Sequence, residues 1–208
     1  MKKTLLLILP LLFILGCSTE GEIKFINRTQ HNLYFSVNGG DYALEGATPQ
    51  QIADGEGTSQ KVSVNTGREF LFWGADTKNV QIYLEGETFL IFDGNGWITE
   101  TTVKVEPKET TRIFADPTHA GVKLINQSGM MVSRLYYFTD YDSTLRLLVE
   151  DIADGGTFFA QLPFSTNEQE FYYTFRVKFE NNTEIDFGGP GDENANLGLD
   201  DQFLINLN

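Results

Sequence analysis

The sequence predicts an all-β protein made of two tandem antiparallel β-sandwiches related by duplication, after an N-terminal signal peptide. Three observations carry that expectation. First, strings recur in one order along the chain. Ile23-Lys24-Phe25-Ile26-Asn27-Arg28-Thr29 returns as Val122-Lys123-Leu124-Ile125-Asn126-Gln127-Ser128, and Leu33-Tyr34-Phe35 as Leu135-Tyr136-Tyr137. Ile52-Ala53-Asp54-Gly55 returns unchanged as Ile152-Ala153-Asp154-Gly155. Glu69-Phe70 matches Glu170-Phe171, and Thr88–Gly94 has a counterpart in Thr183–Gly189. Five matches in order, offset by 95 to 102 residues, are the mark of one unit copied. Second, the apolar residues alternate. Val62 and Val64 share a face, as do Ile82 and Leu84, and Phe175, Val177 and Phe179; a period of two in β-branched and aromatic residues is the half-buried strand signature. Third, turn formers separate these runs at short intervals: Glu85-Gly86, Asp93-Gly94-Asn95-Gly96, Glu106-Pro107-Lys108 and Asn181-Asn182. About seven short strands per hundred residues fits an immunoglobulin-like or transthyretin-like sandwich. One fused sandwich is the alternative arrangement.

Taken in order, residues 1–16 read as a signal peptide. Lys2 and Lys3 precede an apolar run from Leu5 to Leu15, broken by Pro10. A basic start, an apolar middle and a small residue at the cut define such a segment, and the run is shorter than the roughly 20 residues of a membrane span. Its end, Ile14-Leu15-Gly16-Cys17, resembles the lipobox of bacterial lipoproteins, an aliphatic residue, a variable one, Gly or Ala, then Cys; Leu15 is bulkier than the usual occupant. The resemblance covers residues 1–18. It implies a diacylglycerol on the sulfur of Cys17, cleavage before it and acylation of the new N-terminus. Two or more acyl chains anchor a protein stably where one does not. In that family Asp after the cysteine favours the inner membrane; Ser18 resembles the outer-membrane class. Cys17 is the chain's one cysteine, so no disulfide supports the fold and the core must hold it.

Residues 17–21 are expected to be a short tether, of which Ser18 to Gly21 reach at most roughly 14 Å. Repeat 1 spans 22–117 and repeat 2 spans 118–208, with the junction at Asp116-Pro117-Thr118-His119-Ala120. The runs Thr110–Phe114 and Phe203–Leu207 close the repeats, the latter after Asp200-Asp201. One helix is expected: Leu145, Leu148, Val149 and Ile152 fall at i, i+3, i+4 and i+7 behind Asp142 and Ser143 as N-caps.

Charge narrows the partners. The chain holds 15 basic and 29 acidic residues, a formal −14. The first 16 residues carry two lysines and no acid, so a chain cut before Cys17 carries −16. Phosphate backbones are repelled by such a surface, which argues against nucleic acid as a partner. The expected partners are a membrane, through the lipid on Cys17, and a protein or glycan.

Patterns for catalysis are missing. His31 and His119 lack metal-ligand spacing and read as solvated structural residues. HExxH, GxSxG and P-loop strings do not occur, and no pair of acids is singled out for glycoside hydrolysis. The expectation is therefore no enzyme and no cofactor. One acidic loop, Asp186–Asp201, gathers oxygen donors in Asp192, Glu193, Asn194, Asn196, Asp200 and Asp201. Calcium is the ion they suit, but the spacing departs from the EF-hand loop, which favours a solvated turn. Trp97, directly after the Asp93–Gly96 turn, and Trp73 are the candidate ligand-binding aromatics. A non-enzymatic lipid-anchored binding or structural module is the leading function; a carboxylate-based glycan hydrolase and a pilin-like fibre subunit built by strand exchange are the alternatives.

Overall fold

A computed structural model describes residues 17–69 and 74–208. Residues 1–16, where the sequence predicts a signal peptide, and Phe70 and Trp73 lie outside the described residues. The chain is all-β and divides into two units. Unit 1 takes the chain through Arg28, Leu33–Glu85 and Ile91–Ala115; unit 2 takes Thr29–Asn32, Gly86–Leu90 and Asp116–Asn208.

Unit 1 is a sandwich of a three-stranded and a four-stranded sheet. β1 (Cys17–Asn27) lies between β4 (Thr58–Glu69), antiparallel, and β9 (Thr110–Ala115), parallel. The facing sheet runs in the order β3 (Gly40–Leu44), β2 (Leu33–Val37), β5 (Lys78–Gly86), β8 (Glu100–Val105). A two-stranded hairpin, β6 (Ile91–Phe92) and β7 (Trp97–Ile98), stands between β5 and β8. Alternation places Ile23, Phe25, Leu33, Phe35, Val62, Val64, Val80, Ile82 and Leu84 in the core. Phe25 stacks on Phe35 at 3.9 Å between ring centroids.

Unit 2 repeats the order. β10 (Ala120–Asn126) lies between β13 (Thr157–Leu162), antiparallel, and β16 (Gln202–Leu207), parallel. The facing sheet is β12 (Arg146–Ile152), β11 (Val132–Thr139), β14 (Tyr173–Phe179), β15 (Glu184–Gly188). Its core includes Val122, Leu124, Leu135, Phe175, Val177 and Ile205. Two sandwiches with one strand order are the architecture that duplication predicts.

The repeated strings have physical duties. Asn27 and Asn126 end the first strand of their units and are fully buried. The Asn126 amide donates to the carbonyls of Met130, Ile152 and Ala153 at 2.8 to 3.1 Å; that of Asn27 donates to the carbonyl of Glu45. Two residues on, the Thr29 hydroxyl donates to the His31 carbonyl at 2.9 Å, and the Ser128 hydroxyl lies 2.7 Å from Asn126 Oδ1 and 3.3 Å from the Met130 carbonyl. A buried amide without such partners would be costly, so Asn and a hydroxyl residue recur together.

Three expectations need correction. Residues 17–21 are no tether: they form the first part of β1, with Cys17 opposite Glu69 and Gly21 opposite Val64. Leu148, Val149 and Ile152 lie on strand β12, not on a helix. Val149 and Ile152 both pack on the core although they are three apart. Asp151, which lies between them at φ +58°, permits this, beside the point where β11 shifts register against β14 between Val132 and Arg134; the irregularity imitates helical spacing. Asp142 does turn the chain, through Thr144 N–H at 3.0 Å, but the turn leads into a strand. A short helix, α1 (Pro49–Ala53), stands in unit 1 instead, with a capping box between Thr48 and Gln51 and Pro49 in its first turn. Third, Thr88–Gly94 and Thr183–Gly189 are not equivalent. The latter covers β15, whose counterpart is β8, and the β6–β7 hairpin displaces the former.

Candidate functional site

The sequence-predicted site residues do not converge. Asp200 is buried, at φ +69°, and its carboxylate is engaged: one oxygen accepts from Thr88 Oγ1 at 2.6 Å, the other from Gln30 N–H at 2.9 Å. Asp192 caps a 3₁₀ turn (Glu193–Ala195) through Asn194 N–H. Asp201 accepts from Gly198 N–H at 2.8 Å. Asn196 donates to Glu170 at 3.0 Å. These polar groups are thus engaged by the loop's own backbone and by neighbouring segments. Among the described residues no three His, Cys, Asp or Glu side chains gather as a metal site. His31 Nε2 lies 2.8 Å from the Asp200 carbonyl, and His119 is half-buried, its pKa lowered by that burial.

Trp97 is half exposed beside Phe92, which is more so; their rings meet at 5.1 Å on the β6–β7 hairpin. Asp93 turns that hairpin, accepting from Asn95 and Gly96 N–H, which holds its carboxyl below the usual range.

A cleft of about 280 Å³ at one end of unit 2 brings together residues that the sequence did not single out as a group. Tyr137, Phe138 and Thr139 come from the end of β11, Tyr141, Asp142 and Arg146 from the loop into β12, Pro163 and Phe164 from beyond β13, and Gln169, Phe171 and Tyr173 from the approach to β14. Tyr173 is buried; its hydroxyl donates to the Pro163 carbonyl at 2.6 Å, and burial raises its pKa. It meets Tyr137 at 5.7 Å and Phe171 edge-on at 5.3 Å, so the floor is a packed aromatic cluster. Tyr141 is 75% exposed.

The loop holding Tyr141 is tied down. Asp142 N–H donates to Thr139 Oγ1 at 2.9 Å, and Asp140 accepts from Tyr172 N–H at 2.8 Å. Asp142 and Arg146 form an ion pair at 2.8 Å, with the guanidinium 6.0 Å from the centre of the Tyr137 ring. Hydrogen bonds from Thr144, then from Arg146, hold the Asp142 carboxyl down at about 2, so it is ionised throughout the neutral range. Asp142 and Arg146 are the charged residues of the lining, and their charges cancel.

No family model and no curated protein matches the chain. Several solved structures show faint likeness. The chain is 8% identical to the Bacillus anthracis TIE protein, at a TM-score of 0.29, over 90% of this chain and 33% of that one, so it spans about a third of it. A DUF3823 family protein from Bacteroides ovatus is 11% identical, at a TM-score of 0.24, over 81% of this chain and 98% of its own. The major pilin from Streptococcus pyogenes is 8% identical, at 0.23, over 92% and 97%. Likeness this faint assigns neither family nor function. The fold and the cleft by themselves define the class: a tandem β-sandwich protein with an aromatic cleft in its second unit.

Proposed function

We propose that this is a non-enzymatic, lipid-anchored cell-envelope protein that binds a partner through the aromatic cleft of unit 2. The cleft carries the reading. It is concave, walled by aromatic rings and fitted with one donor–acceptor pair, the general form of a small-ligand site. The anchor rests on the lipobox ending at Cys17, and Ser18 favours the outer membrane.

A glycan hydrolase at this cleft is the weaker reading. Glycoside hydrolysis needs two carboxyls, one of them protonated near neutral pH. Asp142 is the cleft's carboxylate, and its pairing keeps it charged. Assembly by strand exchange is weaker too, because both sandwiches have a full set of seven strands in one order.

The test uses isolated envelopes. The wild-type protein is expected to stay with membranes through a high-salt wash, and Cys17→Ser to be released. The released variant, added back to envelope fragments, is expected to sediment with them, and Tyr141→Ala in that background to stay in solution. Membrane retention of Cys17→Ser contradicts the anchor; sedimentation indifferent to Tyr141 contradicts the binding role of the cleft.

A further inference from the structure

We propose that the unit 2 cleft is a subsite for one pyranose ring of a neutral glycan, stacked on Tyr141 and hydrogen-bonded at its edge by Asp142 and Arg146. This rests on the binding reading above and names its ligand.

The chemistry of a pyranose has two aspects. Its faces carry C–H groups and behave as apolar surface. Its rim carries hydroxyls that donate and accept together. The cleft offers both. Tyr141 presents an exposed ring, and Phe164 and Phe171 supply apolar wall. Asp142 accepts, Arg146 donates, and Gln169 adds an amide that does both. A carboxylate beside a guanidinium suits two neighbouring hydroxyls, one giving and one receiving.

Charge selects a neutral ligand. The pair cancels, so the cleft holds no net charge to attract an ion. The whole chain, at a formal −14, disfavours an acidic polymer. Size selects a small one. About 280 Å³ falls just below the roughly 300–1,000 Å³ range of small-molecule sites, too little for a helix or a folded surface. An aromatic side chain from a peptide would fill the apolar part and leave the charged pair unserved. The loop hydrogen bonds at Thr139, Asp140 and Asp142 hold the shape in advance, which lowers the ordering cost of binding.

Isothermal titration of the full chain, in a detergent without a sugar headgroup, decides this. Neutral probes are cellohexaose, xylohexaose, mannohexaose and maltohexaose. Oligogalacturonate is the acidic probe, and short peptides with a central Tyr or Trp are the third arm. At least one neutral hexasaccharide is expected to bind, about tenfold or more weaker in both Tyr141→Ala and Arg146→Ala. Tyr141→Ala is expected to melt as the wild type does, since its ring is solvent-facing. Affinity is expected to be flat from pH 5 to 8, because Asp142, depressed to about 2, stays charged across that window. The proposal is overturned if no neutral probe binds, if binding ignores Tyr141, or if only the acidic probe or the peptides use the cleft. If the glycans fail while envelope sedimentation still depends on Tyr141, the glycan reading alone falls; if both fail, the binding role falls with it.

Discussion

In unit 1, Ile52-Ala53-Asp54-Gly55 closes a helix; in unit 2 the same four residues, Ile152 to Gly155, close a strand. What the two copies share is the turn. Gly55 and Gly155 both sit in the left-handed region, at φ +73° and +76°, and neither would crowd an added Cβ. What enters the turn differs. In unit 1, Thr48 and Gln51 build a capping box and Pro49 starts a helical turn. In unit 2, the residues upstream find β11 as a partner and pair with it. A second difference follows the fifth strand. Unit 2 turns tightly at Asn182, φ +65°, into β15, whereas unit 1 inserts the β6–β7 hairpin with Phe92 and Trp97. Turn chemistry is therefore local and was kept in both copies, while neighbouring segments changed structure around it.

The largest expected effect tests whether the buried asparagines are equivalent. Asn126→Ala removes one donor from each of three carbonyls, and we expect a loss of about 3 kcal/mol in urea denaturation. Asn27→Ala is expected to lose a similar amount. A cost at one site with none at the other would break the correspondence between the units.

A smaller effect sharpens it. Gly55→Ala and Gly155→Ala should each cost about 1 kcal/mol, since an L side chain in the left-handed region is strained even in open space. Equal penalties would show that the turn is one device in two settings. Unequal ones would tie the glycine to the helix or to the strand.

The same comparison explains what the sequence made legible. Strand faces were legible because alternation is a local property: Val62 and Val64, Ile82 and Leu84, and Phe175, Val177 and Phe179 are all buried as expected. The repeat was legible where residues carry fixed duties, as Asn27 and Asn126 do. Residues 145–152 misled because the backbone irregularity at Asp151 puts Val149 and Ile152 on one face, and short apolar runs fit both periods. The helix α1 left a readable signature in Thr48-Pro49-Gln50-Gln51, but five residues without a buried side chain offer no apolar stripe. The cleft was not legible. Tyr137, Tyr141, Phe164, Phe171 and Tyr173 come from separate segments that only the sandwich brings to one end. The acidic loop looked like a site because its donors are close in sequence; the structure spends them on its own backbone and neighbours.

The proposed binding site lies in unit 2, although the exposed Trp97 lies in unit 1. The direct measurement is a ¹H–¹⁵N NMR map of the full chain titrated with the neutral hexasaccharide that binds tightest. Shifts are expected to be confined to Thr139–Arg146, Phe164 and Gln169–Tyr173. Shifts centred on Phe92 and Trp97, with the unit 2 cleft silent, would contradict that site.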